Sequence, residues 1–150
     1  MFKCVHLKLI QLIRMKISTN FNLVEFIDPH TYNKYGDSSV WFIDPQIIQV
    51  AQFIRTRFNR AITINGGGYK YSGFRPPQCK IGAKLSQHRF GRAIDIKIDN
   101  MPEIYTDILT NPELYIKVGL TTVENIEATP TWLHLDCRWT NEDKIRVVNP

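Results

Sequence analysis

The sequence lacks the marks of several protein classes. Its three cysteines, Cys4, Cys79 and Cys137, are an odd number with no CxxC pair. Neither a disulfide framework nor a thiolate zinc site is signalled, and reduced thiols are expected. No continuous apolar run exists at the start of the chain, where Lys8, Gln11, Arg14 and Lys16 interrupt residues 1–18. That argues against a signal peptide or a membrane span. The basic residues are scattered rather than gathered in a stripe, and zinc-finger spacing and an RNA-recognition signature are both missing, so nucleic-acid binding is not expected. There is no biased tract of the kind that marks disorder or a fibre.

What is present suits one compact domain. The chain has 150 residues, 43% apolar and 22% charged, and a domain of that length buries roughly 70% of the surface its unfolded form exposes. The net charge of +5 would favour approach to any polyanion, whether nucleic acid, anionic lipid or a cell wall, without choosing among them. Residues 1–18 are expected to be an N-terminal extension and 19–150 the domain proper, with a monomer as the expected state. A short amphipathic helix packing on the domain is the alternative for the first residues.

Asp44 as cap, Pro45 in the first turn, and Ile47, Ile48, Ala51, Ile54 and Phe58 at helical spacing predict a helix over 45–59. A short β-branched strand is expected at 61–65, then a glycine-dense loop over 66–77, and a second strand at 93–98. Asn100 with Pro102 starts a short helix to about Leu109, and Pro112 starts another before Gly119. The alternating segment 132–139 reads as a strand, with 145–148 as the last one. Helices and strands mix without regular alternation, which predicts an α+β domain with a mainly antiparallel sheet flanked by helices.

His88 and Asp95 lie on either side of Gly91, whose freedom allows a sharp turn between them. His134 sits on the later alternating strand. Two imidazoles and a carboxylate with a fourth position open to water is an arrangement that catalytic zinc sites use, and one that also suits iron. Taken by spacing alone, each residue keeps an ordinary alternative, such as Asp95 pairing with Arg92.

Three ordered segments, SGFR at 72–75, SQHRFGRAIDI at 86–96 and WLHLD at 132–136, resemble the motifs of the LAS-type metallopeptidases. That group includes D-Ala-D-Ala carboxypeptidases, phage endolysins and the hedgehog domain. The pattern SxHxxGxAxD is met at Ser86, His88, Gly91, Ala93 and Asp95, and the resemblance spans roughly residues 40–140. It implies the hedgehog/DD-peptidase fold and a phage-encoded zinc peptidase of the D-Ala-D-Ala carboxypeptidase branch, acting on the peptide stem of peptidoglycan. His88, Asp95 and His134 would hold the metal, Arg75 would contact substrate or stabilise developing charge, and Ser86 would orient His88 or the substrate. Without an export signal, such a protein is expected in the host cytoplasm until released to the wall, or in a virion.

The chain departs from that pattern where relatives carry a carboxylate general base three residues before the last histidine. Thr131 stands there, and threonine cannot take and return a proton near neutral pH. Asp136, on the same strand face as His134, is the first substitute. It could reach the reacting water or orient the histidine from behind. Trp132 shares that face and could wall the substrate cleft, while Glu124 and Glu127, just before the strand, could fold back toward the metal but are expected to be solvated surface carboxylates. The longer loop carrying Tyr69 and Tyr71 is expected to form a rim of the cleft. A zinc-stabilised wall-binding or virion module without catalysis is the competing reading.

Overall fold

A computed structural model describes residues 14–150. Most of the expected extension, including the stretch that would form an amphipathic helix, therefore lies outside the described residues. Within residues 14–18, Met15 and Ile17 pack against the core.

Among the described residues, four α-helices and five strands form an α+β domain: α1 (Pro29–Tyr35), α2 (Pro45–Phe58), β1 (Ile62–Thr63), β2 (Ala93–Ile98), α3 (Met101–Thr110), α4 (Pro112–Lys117), β3 (Thr122–Glu124), β4 (Leu133–Asp136) and β5 (Arg146–Val148). None of the described helices is long and apolar enough to cross a membrane. Helix α2 begins as its sequence suggests, with the Asp44 carboxylate accepting from the Gln46 N–H at 3.0 Å and Pro45 in the first turn. It ends at Asn59, which takes a left-handed conformation (φ 50°). The same device starts α1, where Asp28 accepts from Thr31 N–H at 3.0 Å ahead of Pro29.

The strands make one sheet in the order β1-β2-β4-β3-β5. Three neighbouring pairs are antiparallel, but β5 runs parallel to β3. The sheet is therefore mixed, because residues 137–145 carry the chain past β3 to its outer edge instead of turning back as a hairpin. Expected strands also come out shorter. The first spans only 62–63, and β4 stops at Asp136, whose own carboxylate accepts the Arg138 N–H at 3.1 Å.

Alternation divides the sheet into two faces. Ile94, Ile96 and Ile98 of β2, Leu133 and Leu135 of β4 and Val123 of β3 enter the core with Ile47, Val50, Ala51 and Ile54 of α2. The other face carries Asp95 and Lys97 from β2, His134 and Asp136 from β4, and Thr122 and Glu124 from β3. One side of the sheet is thus a hydrophobic floor, and the other is almost wholly polar.

Candidate metal centre

The antiparallel register of β2 with β4 sets Asp95 directly opposite His134. Cross-strand neighbours on one face stand close enough for side-chain contact, and here Asp95 Oδ1 lies 2.9 Å from His134 Nδ1. His88 arrives from a 3₁₀ turn, Gln87–Phe90, that leads into β2 through Gly91 in a left-handed conformation (φ 67°). A side chain at Gly91 is excluded on two counts, since a Cβ would also fall 1.8 Å from the Phe42 carbonyl oxygen. His88 Nε2 ends 3.2 Å from Asp95 Oδ1 and 3.3 Å from His134 Nδ1.

The loop before the turn supports this convergence. Asp95 N–H donates to the Ser72 carbonyl at 2.7 Å, and Arg75 N–H donates to the His88 carbonyl at 3.0 Å. The Asn65 side-chain oxygen accepts from Ser72 N–H at 2.9 Å and ties down the base of the glycine-rich loop. Gly73 passes so near residue 26 that a Cβ would lie 2.3 Å from the Phe26 carbonyl oxygen.

Hydrogen bonding fixes which ring nitrogens face one another. A carbonyl can only accept, so the 2.8 Å contact of His88 Nδ1 with the Gly73 carbonyl is an N–H donation that leaves the Nε2 lone pair pointing inward. His134 Nε2 meets the Asp136 carboxylate at 3.1 Å and donates to it, leaving Nδ1 inward. With both rings neutral, three acceptor atoms then face one another in a buried space. All three residues are over nine-tenths buried, and such a cluster needs a cation or a trapped proton between its members. The His88, Asp95 and His134 donors could hold an ion. A tetrahedral zinc bonded at about 2.1 Å would set its ligands roughly 3.4 Å apart, close to the separations found here.

The charges respond to these contacts. Burial pushes His88 below its ordinary value. Burial also opposes charge on His134, but the carboxylates of Asp136 and Asp95 outweigh it and lift that imidazole to about 9. Asp95 is raised by burial yet held well below the usual carboxylate range by hydrogen bonds from the two histidines. The two carboxylates thus favour a proton on His134 over one on His88, and an ion held by the cluster would compete with it.

Arg75 donates through Nη2 to the second oxygen of Asp95 at 2.8 Å and through Nε to the Tyr71 carbonyl at 2.8 Å. It stands at the site, where the resemblance put it, but part of its guanidinium is engaged by a ligand residue. Asp136 is completely buried. It takes the rear nitrogen of His134 and a paired contact from Arg138, whose Nε lies 2.8 Å from Oδ1 and whose Nη2 lies 2.5 Å from Oδ2. Of the two positions open to Asp136 in the sequence, the structure has the one behind the histidine. Ser86 precedes the 3₁₀ turn, and no described hydrogen bond joins its hydroxyl to His88. Trp132 is half-buried and walls the cleft.

Two clefts meet at Asp95. One, of about 620 Å³, reaches His88, Asp95, His134, Ser86 and Glu124, and the other, of about 510 Å³, runs from Asp95 toward Tyr69, Tyr71 and Lys97. Arg75, Ile81, Asp95 and Trp132 border both. The tyrosine-bearing loop is a rim, in agreement with its expected place. Glu127 is exposed as expected, but Glu124 is a correction. It is half-buried in β3 on the same face as His134 and lines the cleft. The register of β3 with β4, continued by one residue beyond Val123 and Leu135, sets Glu124 beside His134. Thr131 is exposed.

No family model, no curated protein and no solved structure matches the chain.

Proposed function

We propose that the chain is a zinc-dependent peptidase of the LAS type, with the hedgehog/DD-peptidase fold, that cuts the peptide stem of peptidoglycan as a D-Ala-D-Ala carboxypeptidase or endopeptidase during wall lysis or penetration. The observation that carries this reading is the inward convergence of His88 Nε2, Asp95 Oδ1 and His134 Nδ1 at the floor of an open cleft. A structural zinc site is normally closed by a fourth protein ligand, whereas three protein ligands on the lining of a cleft leave a position for substrate or water.

Zinc held there would polarise the scissile carbonyl and acidify water. The protein's own groups would do the rest. Gly73 and Asp136 hold the two imidazoles with their donor nitrogens turned inward. Arg75, braced by Tyr71, offers its remaining N–H groups to charge developing on the substrate oxygen. Glu124 is the carboxylate that shares the cleft with the donors, and it would accept the proton from the attacking water and pass it to the leaving nitrogen. Asp136 serves as a positioning residue, because its oxygens are committed to His134 and Arg138.

Purified protein incubated with cell walls or with peptides ending in D-Ala-D-Ala should release product, lose that activity with a chelator, and lose it in His134→Ala. Hydrolysis that survives the chelator would sink the zinc mechanism. A second reading, a zinc-stabilised wall-binding or virion module, draws on Thr131 and on the occluded position of Asp136. Stoichiometric zinc with wall binding and no turnover would favour it.

A further inference from the structure

The segment that follows β5 takes no part in the chemistry described so far, yet it borders the site. Val148, Asn149 and Pro150 line the same cleft as His88, Asp95, His134 and Glu124. Strand pairing explains why. Asp95 stands opposite His134, the register of β3 with β4, continued by one residue, sets Glu124 beside His134, and Glu124 stands opposite Val148. Neighbours across strands share a face, so these four side chains form one row over the polar side of the sheet. Past Val148, whose carbonyl accepts the Asn125 N–H at 2.8 Å, the chain continues through Asn149 and Pro150, both exposed. Asn149 brings to the cleft an amide with two N–H donors and a carbonyl acceptor, the functions that pair with a peptide backbone.

We propose that Asn149 and Pro150 are specificity-determining residues that read the length of a peptide, touching a chain that extends two or three residues from the scissile bond on the side of Glu124. Neighbouring strands lie about 4.8 Å apart, so two steps of the row carry Val148 roughly 9.6 Å from His134. One extended residue spans up to roughly 3.6 Å. A peptide cut over the three donors therefore reaches this segment with about its third residue, and a dipeptide falls short of it. In a peptide ending in D-Ala-D-Ala the added residues all lie on the amino side of the cut bond, which assigns that side to the Glu124 end of the cleft. This inference rests on the peptidase reading and narrows it: the preferred substrate is a stem peptide of several residues, not a free dipeptide.

The test is calorimetric binding, with zinc added, of two uncleavable ketomethylene analogues in which a CH2 replaces the N–H of the last peptide bond: N-acetyl-D-Ala-D-Ala and the stem pentapeptide that ends in D-Ala-D-Ala. One net hydrogen bond is worth roughly two- to tenfold in affinity, so the pentapeptide analogue should bind at least about fivefold tighter than the dipeptide analogue. Deleting residues 149–150 should erase that difference and leave the dipeptide's affinity unchanged. Asn149→Ala, which keeps the backbone beside β3 in place, should weaken the pentapeptide alone. Equal binding of the two analogues, binding of neither, or a preference that survives either variant at full size overturns the proposal. Tighter binding after the deletion also overturns it, because the segment would then obstruct the cleft. The peptidase reading is judged separately on the ordinary peptides. Pentapeptide binding that depends on residues 149–150, without cleavage, would remove that reading and leave the contact standing. Cleavage of both ordinary peptides with equal kcat/KM, unaltered by the deletion, would do the reverse.

Discussion

The Asp136 carboxylate lies 3.1 Å from Nε2 of His134, while the nitrogen on the other side of that ring lies 2.9 Å from Asp95. The imidazole is held between two carboxylates, one on the inward face of the site and one behind it. Asp136 therefore controls which nitrogen points inward, and its role can be separated from that of a base.

Asp136→Asn should lower zinc affinity by about 10–100-fold, the usual effect of removing a partner that orients a ligand. Competition with a chromogenic chelator measures this. Turnover should return when zinc is in excess, with the pH profile of kcat unchanged. A loss of kcat that excess zinc cannot restore would make Asp136 a participant in the reaction.

Glu124→Gln should bind zinc as the unmodified protein does and lose about 10²–10⁴-fold in kcat, the range for removal of a general base. Steady-state kinetics beside metal analysis separates the two effects. Undiminished kcat would refute the assignment of Glu124.

The sequence ranks Glu124 as a surface carboxylate ahead of one that folds back toward the metal, and the reason is local. Strand β3 is only Thr122–Glu124, too short to show alternation, and its glutamate looks like any surface carboxylate. The signal that remains is a single buried apolar residue, Val123, between two polar ones, and it gains meaning only once β4 lies alongside. Helix α1 leaves little trace in the sequence for a different reason. It opens with the same Asp-Pro pair as α2, but among its residues only Thr31 is buried, so no apolar stripe draws attention to it. The three donors are legible through the motif resemblance at 86–96 and 132–136, since Gly91 and the alternating strand alone leave each of them an ordinary alternative. The parallel placement of β5 depends on where a long loop returns, which no local pattern encodes.

Gly73→Ala should destabilise the fold by about 1–3 kcal/mol, as expected for an atom forced into filled space. The clash is with the Phe26 carbonyl oxygen, 2.3 Å from the added carbon. Urea denaturation reports the loss. Zinc affinity should fall as well, because the Gly73 carbonyl anchors His88. Unaltered stability would mean that this close approach is not maintained in solution.

Away from the site, Asp107 joins α2 to α3 and α4. Arg57 Nε and Nη2 donate to its two oxygens at 2.6 and 2.8 Å, Asn111 donates at 2.9 Å, and the Tyr115 hydroxyl also donates to it. The Arg57 guanidinium, foremost among these, holds the Asp107 carboxyl below its ordinary value. A carboxylate depressed in the folded state stabilises above its unfolded pKa of about 3.9, and that contribution disappears as pH falls through the folded value. Asp107→Asn should therefore be less stable than the unmodified protein at pH 6, with the gap closing below about pH 4. A gap that stays constant across that range in thermal unfolding would contradict the ion-pair account.

The central claim is that His88, Asp95 and His134 form a working zinc site, and metal and activity measured on one sample test it most directly. Protein purified without added metal should contain close to one zinc per chain by elemental analysis, and the same preparation should cleave peptidoglycan stem peptides. A preparation that holds no zinc, takes none up, and leaves those peptides intact would contradict the account.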